Sequence, residues 1–170
     1  KVLSALENLQ IKGFALRTDM NDDGTLNGYD DLLVLDEDKT LDVKKTYNNA
    51  RMLLHRTFTT KNADGTNGWN SIILPVDMTA AQVIEAFGEG TQVAKFNDLD
   101  ENWIKFETVP VAGEGVVLEK NTPYIIFPTQ KAAYNNYEYN INGETKTLNG
   151  PVYVANGINY EDQTANLQPS

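Results

Sequence analysis

Apolar and polar positions along this chain change period once. In short runs from residue 50 to 58 and again from 93 to 154, apolar side chains recur at every second position, the period of a half-buried strand. Between these runs, Val83, Ile84 and Phe87 recur at helical spacing and predict a short helix near 79–87. Thr79 stands at its N-cap, Gln82 completes a capping box three residues on, and Gly88 supplies the positive-φ residue that ends it. Just before the helix, Ile72, Ile73 and Leu74 form an unbroken apolar run. It reads as a strand covered on both faces, with Trp69 anchoring its start and Pro75 ending its pairing.

The remaining elements follow from the same rule. Leu9, Ile11, Phe14 and Leu16 predict a strand bent at Gly13. Thr40–Val43 alternates and predicts another. Residues 50–58 put Met52, Leu54 and Phe58 on one face and Arg51, Leu53 and His55 on the other, which places His55 on the less buried side. Residues 61–68 read as a long hairpin connection. Val93–Phe96 and Trp103–Val109 predict a hairpin, and 116–119 and 124–127 two further strands. Tyr137, Tyr139 and Ile141 share a face, Asn142-Gly143 is a two-residue hairpin turn, and Asn149-Gly150-Pro151 turns the chain into 152–154. The tail from Glu161 has little apolar content and is expected to fray. Short strands punctuated by turns predict an all-β fold, a single jelly-roll-like β-sandwich with one short helix. The 170 residues fit one domain, with a segment 1–38 that could stand apart from it.

Composition narrows the chemistry. With no cysteine, disulfides, zinc–thiolate sites and cysteine nucleophiles are excluded. A single histidine excludes a multi-histidine metal site. The net charge of −10 repels phosphate backbones and anionic membranes, so nucleic acid is not an expected partner. No apolar run approaches the ~20 residues that span a bilayer, so the chain is not expected to be membrane-embedded. The 19 Asn against 3 Ser suit a turn-rich β protein.

Residues 19–30 form the sharpest motif. Asp19, Asn21, Asp23, Asn27 and Asp30 put side-chain oxygens at loop positions 1, 3, 5, 9 and 12. Gly24 stands at the tight turn, and Thr25 would offer its carbonyl. Calcium takes six to eight hard oxygens in this spacing. The stretch resembles the calcium loop of dockerins, which ends in Asp. The chain departs from that family after the loop, where Asp36-Glu37-Asp38 follows the leucines and no second loop appears. A plain Asp/Asn-rich solvated turn is the alternative.

A second resemblance covers about half the chain. It is carried by Thr46-Tyr47-Asn48-Asn49-Ala50, Arg56-Thr57-Phe58, Trp69 to Asp77, Ala86-Phe87-Gly88-Glu89-Gly90-Thr91 and Asn121 to Ile126. In that order these pieces look like a module of Bacteroides-type cell-surface and secreted proteins, with Pro75-Val76 where Pro-Phe is usual. The resemblance implies export, a β-rich fold and a place in a longer multi-module chain, and brings no catalytic residues.

The expected function is therefore a non-catalytic extracellular module for adhesion, glycan or protein binding, or spacing, with calcium as a structural ion. Trp103, Tyr134, Tyr137, Tyr139, Tyr153 and Tyr160 are candidates for a sugar-stacking platform, with Trp103, Tyr137 and Tyr139 first, though aromatics are also ordinary strand residues. The alternative is a carboxylate-based glycan-active enzyme or its accessory domain. Acids are plentiful, but no pair is marked out by spacing.

Overall fold

The computed structural model describes residues 32–41, 43, 45–141 and 144–162. These build ten strands and one helix, an all-β, sandwich-like fold. The first sheet runs β1 (Leu32–Asp36), β2 (Tyr47–His55), β10 (Glu144–Tyr160), β9 (Tyr134–Ile141). The second runs β3 (Asn70–Ile72), β8 (Tyr124–Phe127), β5 (Gln92–Asp100), β6 (Trp103–Val109). A small third sheet pairs β4 (Met78–Thr79) with β7 (Val116–Leu118). The β1–β2 pair is parallel and the others are antiparallel.

The core lies where one face of the first sheet meets one face of the second. Leu33, Leu35, Met52, Leu54, Ala155 and Ile158 come from the first, and Ile72, Val93 and Ile126 from the second. Phe58, Phe87 and Tyr153 interlock at its centre, with ring centroids 5.3–6.1 Å apart, a spacing aromatic rings favour. The helix α1 (Ala80–Phe87) closes one side through Ala80, Val83, Ala86 and Phe87. Its capping box forms as expected. The Thr79 hydroxyl accepts from the Gln82 amide at 3.3 Å, and the Gln82 side chain accepts from the Thr79 amide at 2.9 Å. Eight residues are too few to hold a helix alone. Gln82 adds an anchor by donating to the Asn156 and Gly157 carbonyls at 3.0 and 2.9 Å. Gly88 has φ of 107°, and a Cβ there would meet Thr129 Oγ1 at 2.4 Å.

Several expectations need correction. Residues 40, 41 and 43 are not in a strand. Strand β3 ends at Ile72, and Ile73 points outward, 59% exposed, so the apolar run is not covered on both faces. The 61–68 loop joins β2 and β3, which lie in different sheets, so it is not a hairpin between neighbours. Asn149-Gly150-Pro151 does not turn the chain. Strand β10 continues through it with one extra residue, since Leu148 faces Tyr137 and Pro151 faces Asn135, a bulge in an unbroken strand. Strand β2 buries both faces at its end, because Leu32, Leu53, Leu148, Val152 and Val154 form a second apolar cluster on the reverse of the first sheet. His55 lies on that side and is buried rather than half-exposed. Residues 142 and 143 lie outside the described part, yet Ile141 and Glu144 are register partners, as a two-residue connection requires. The expected N-terminal strand around Gly13, the loop 19–30 and the tail beyond Asp162 also lie outside it.

Candidate functional site

A cleft of about 730 Å³ opens between the 61–67 loop and the segment 128–135. Its size falls within the range of small-ligand sites. The loop wall is fixed from within. The Asn62 amide donates to the Thr66 carbonyl at 2.8 Å, and the Thr66 hydroxyl to Asp64 Oδ1 at 2.6 Å. The Thr66 hydroxyl and amide, both donating to Asp64, hold its carboxyl below the usual range. At the base, the buried Asn70 side chain works as a four-way staple. It accepts from the Thr59 and Thr60 amides at 3.1 and 3.0 Å and donates to the Gly68 and Thr60 carbonyls at 3.0 and 3.3 Å.

The opposite wall hangs from the helix end. The Thr129 and Gln130 amides both donate to the Phe87 carbonyl, at 2.9 and 3.0 Å, and the Gln130 side chain donates to the Glu85 carbonyl at 2.9 Å. At the rim, Tyr134 is 36% exposed and stands edge-on to Tyr137 with centroids 4.9 Å apart. On the floor, Asn67 accepts from Lys61 Nζ and bonds the Tyr153 hydroxyl. Burial pushes that phenol's pKa up, against the Asn67 bond, so it stays neutral. Amide, hydroxyl, one carboxylate and the ammonium groups of Lys61 and Lys131 thus surround the cleft.

A second cluster secures the cleft's far edge. His55 Nδ1 lies 2.8 Å from Asp36 Oδ1 and 3.8 Å from Asp38 Oδ2, and Nε2 lies 2.9 Å from the Asn149 carbonyl. Both ring nitrogens face acceptors, an arrangement that the doubly donating imidazolium satisfies. Burial would lower the His55 pKa. The bonds to Asp36 and Asn149, with the charges of Asp36 and Asp38, outweigh it and leave the pKa raised. For Asp36, burial would raise the carboxyl, but the bonds from His55 and the Asp38 amide, with the His55 and Lys39 charges, hold it low. These three side chains also have metal-ligand character, with ligand atoms within 4.8 Å of one another. With the ring protonated, the cluster is a charge clamp. It pins the 149–151 bulge, and Pro151 lines the cleft and accepts from the Arg56 amide at 3.2 Å.

The three rings ranked first from the sequence are not brought together. Trp103 sits on β6 of the second sheet, 76% exposed. Tyr137 and Tyr139 lie on β9 of the first sheet, with Tyr139 buried at 8% against Leu148 and its neighbours, so it offers no open face. Asp19, Asn21, Asp23, Thr25, Asn27 and Asp30 lie outside the described residues. The sequence reading missed Asn70 and Asn67, while Tyr134 and Tyr153 were among its aromatic candidates. Among the described residues no helix is long and apolar enough to cross a membrane. No known protein-family model, curated protein or solved structure matches the chain.

Proposed function

We propose that this chain is a non-catalytic, exported binding module of a bacterial cell surface, and that the cleft between 61–67 and 128–135 takes a hydroxyl-rich ligand such as a glycan segment. The observation that carries the reading is the cleft itself. It has rigid walls, paired donors and acceptors, and the exposed ring of Tyr134 at its rim. Sugars are held by such mixtures, since each hydroxyl both donates and accepts. The non-catalytic role rests on the sequence resemblance, which brings no catalytic residues. The exported setting rests on the sequence resemblance alone.

Calorimetric titration with soluble oligosaccharides tests the proposal. Tyr134→Ala and Lys131→Ala should each weaken binding about tenfold or more, as the loss of an anchor contact does. Trp103→Ala, on the other sheet, should leave it unchanged. Unaltered affinity in both cleft variants, or release of new reducing ends from the oligosaccharide, would overturn the reading.

A further inference from the structure

The β5–β6 hairpin leaves its outer strand without a neighbour among the described residues. Glu101 opens its two-residue turn at φ of 43°. Register partners Phe96 and Phe106, and Leu99 and Ile104, share one face. All four are large apolar side chains between 44% and 68% exposed. On the other face Lys105 pairs with Asp100 at 2.7 Å, and Glu107 stands opposite Lys95. A seven-residue edge strand with an apolar face is a ready template for another strand.

We propose that a second copy of this chain docks edge to edge on β6, antiparallel, about a twofold axis through Phe106. The charge pattern along the strand selects this partner and this register. With the axis at Phe106, Lys105 of each copy faces Glu107 of the other, Ile104 faces Thr108, and Trp103 faces Val109. An axis at Lys105 would set lysine against lysine, and one at Glu107 glutamate against glutamate, both unfavourable. An axis between residues would put the apolar face of one copy beside the charged face of the other.

The ladder phase agrees. Asp100 and Trp103 are register partners flanking a two-residue turn, the position of a hydrogen-bonded pair, which turns the amides of Ile104, Phe106 and Thr108 away from β5 toward a facing strand. The product is an eight-stranded sheet in which Phe96 and Phe106 of both copies form one row of four rings. Growth stops there. The other edge, β3, has three residues and runs into Pro75, which cannot continue a ladder. The assembly is therefore a closed pair rather than a fibre.

Light scattering coupled to size exclusion, with the 170-residue chain, tests this. The wild type should run at twice the chain mass of 18.9 kDa. Lys105→Glu and Glu107→Lys each convert both symmetric pairs to like charges and should weaken dimerisation by about tenfold or more. Mixed in equal amounts, the two variants should recover the doubled mass, because each supplies the charges the other lacks. Wild type at the single-chain mass across micromolar to millimolar concentrations would overturn the proposal, and so would variants that dimerise as well as wild type. Should either variant lose its β-sheet circular dichroism, the double swap Lys105→Glu with Glu107→Lys reads the same register. A doubled mass supports the pairing, and a single-chain mass overturns it.

Discussion

His55 and Asp36 end adjacent parallel strands as register partners, and their side chains meet at 2.8 Å on the reverse face of the first sheet. The pair is charged on both sides, so it makes stability depend on pH with a known sign. The raised His55 pKa means its contribution is complete below the unfolded value near 6.5 and is lost as pH rises through the higher folded value. The lowered Asp36 pKa means its contribution is complete above the unfolded value near 3.8 and is lost as pH falls through the lower folded value. The pair therefore contributes most between those two unfolded values. Urea midpoints should decline from pH 6 toward pH 9. In His55→Ala that decline should flatten, on top of a loss of about 3 kcal/mol at pH 6, the low end for a buried pair deprived of one partner. An unchanged pH slope in the variant would remove the imidazolium assignment.

Asn70→Asp separates the two halves of the staple under the cleft. The substituted side chain still accepts from the Thr59 and Thr60 amides but turns an oxygen toward the Gly68 and Thr60 carbonyls. Two donated bonds are lost and replaced by repulsion, at a cost of about 2–3 kcal/mol. Local opening of the 61–67 loop should follow, read as faster proteolytic nicking there than in the wild type. A variant that loses stability with no change in nicking would mean the loop is held by other contacts.

Gln82→Glu and Thr79→Ala rank the two jobs of the capping box. Thr79→Ala removes one cap bond, about 1 kcal/mol. Gln82→Glu keeps the cap acceptor but loses both donors to the Asn156 and Gly157 carbonyls, about 2–3 kcal/mol. Thermal unfolding should place the glutamate variant several degrees below the alanine variant. The reverse order would assign the anchoring of β10 to some other contact.

The spacing of residues 19–30 carries its own prediction. Calcium at about 100-fold saturation would add about 2.7 kcal/mol, a rise of roughly 5–10 °C in the midpoint for a chain of this size. Asp23→Ala should abolish the rise, and chelator should reverse it. Equal midpoints with chelator and with calcium would leave the stretch a turn.

What could be read from the sequence was what depends on near neighbours. The helix at 80–87 was legible because Thr79, Gln82 and Gly88 act within a few residues of it, and the β5–β6 hairpin because its strands alternate on either side of a turn. What escaped depended on partners far along the chain. Asp36 lies 19 residues before His55, and the Asn149 carbonyl 94 after it. No local period could therefore report that His55 is buried. Asn149-Gly150-Pro151 has the chemistry of a turn, and only the pairing of both its flanks with β9 makes it a bulge. The cleft was illegible for the same reason, since its two walls lie some seventy residues apart and neither is an element with a period.

The placement of β1 and β10 on either side of β2 has a mechanical consequence. Leu32 begins β1 opposite Arg51, midway along β2, and Tyr160 ends β10 opposite Tyr47, so the start of β1 and the end of β10 both point toward the Tyr47 end of β2. Tension applied between them pulls the flanking strands away from β2 one bond at a time, as a zipper opens. It does not load the whole ladder in shear. Such an arrangement yields at low force from its outer strands inward, while the second sheet bears none of the load directly.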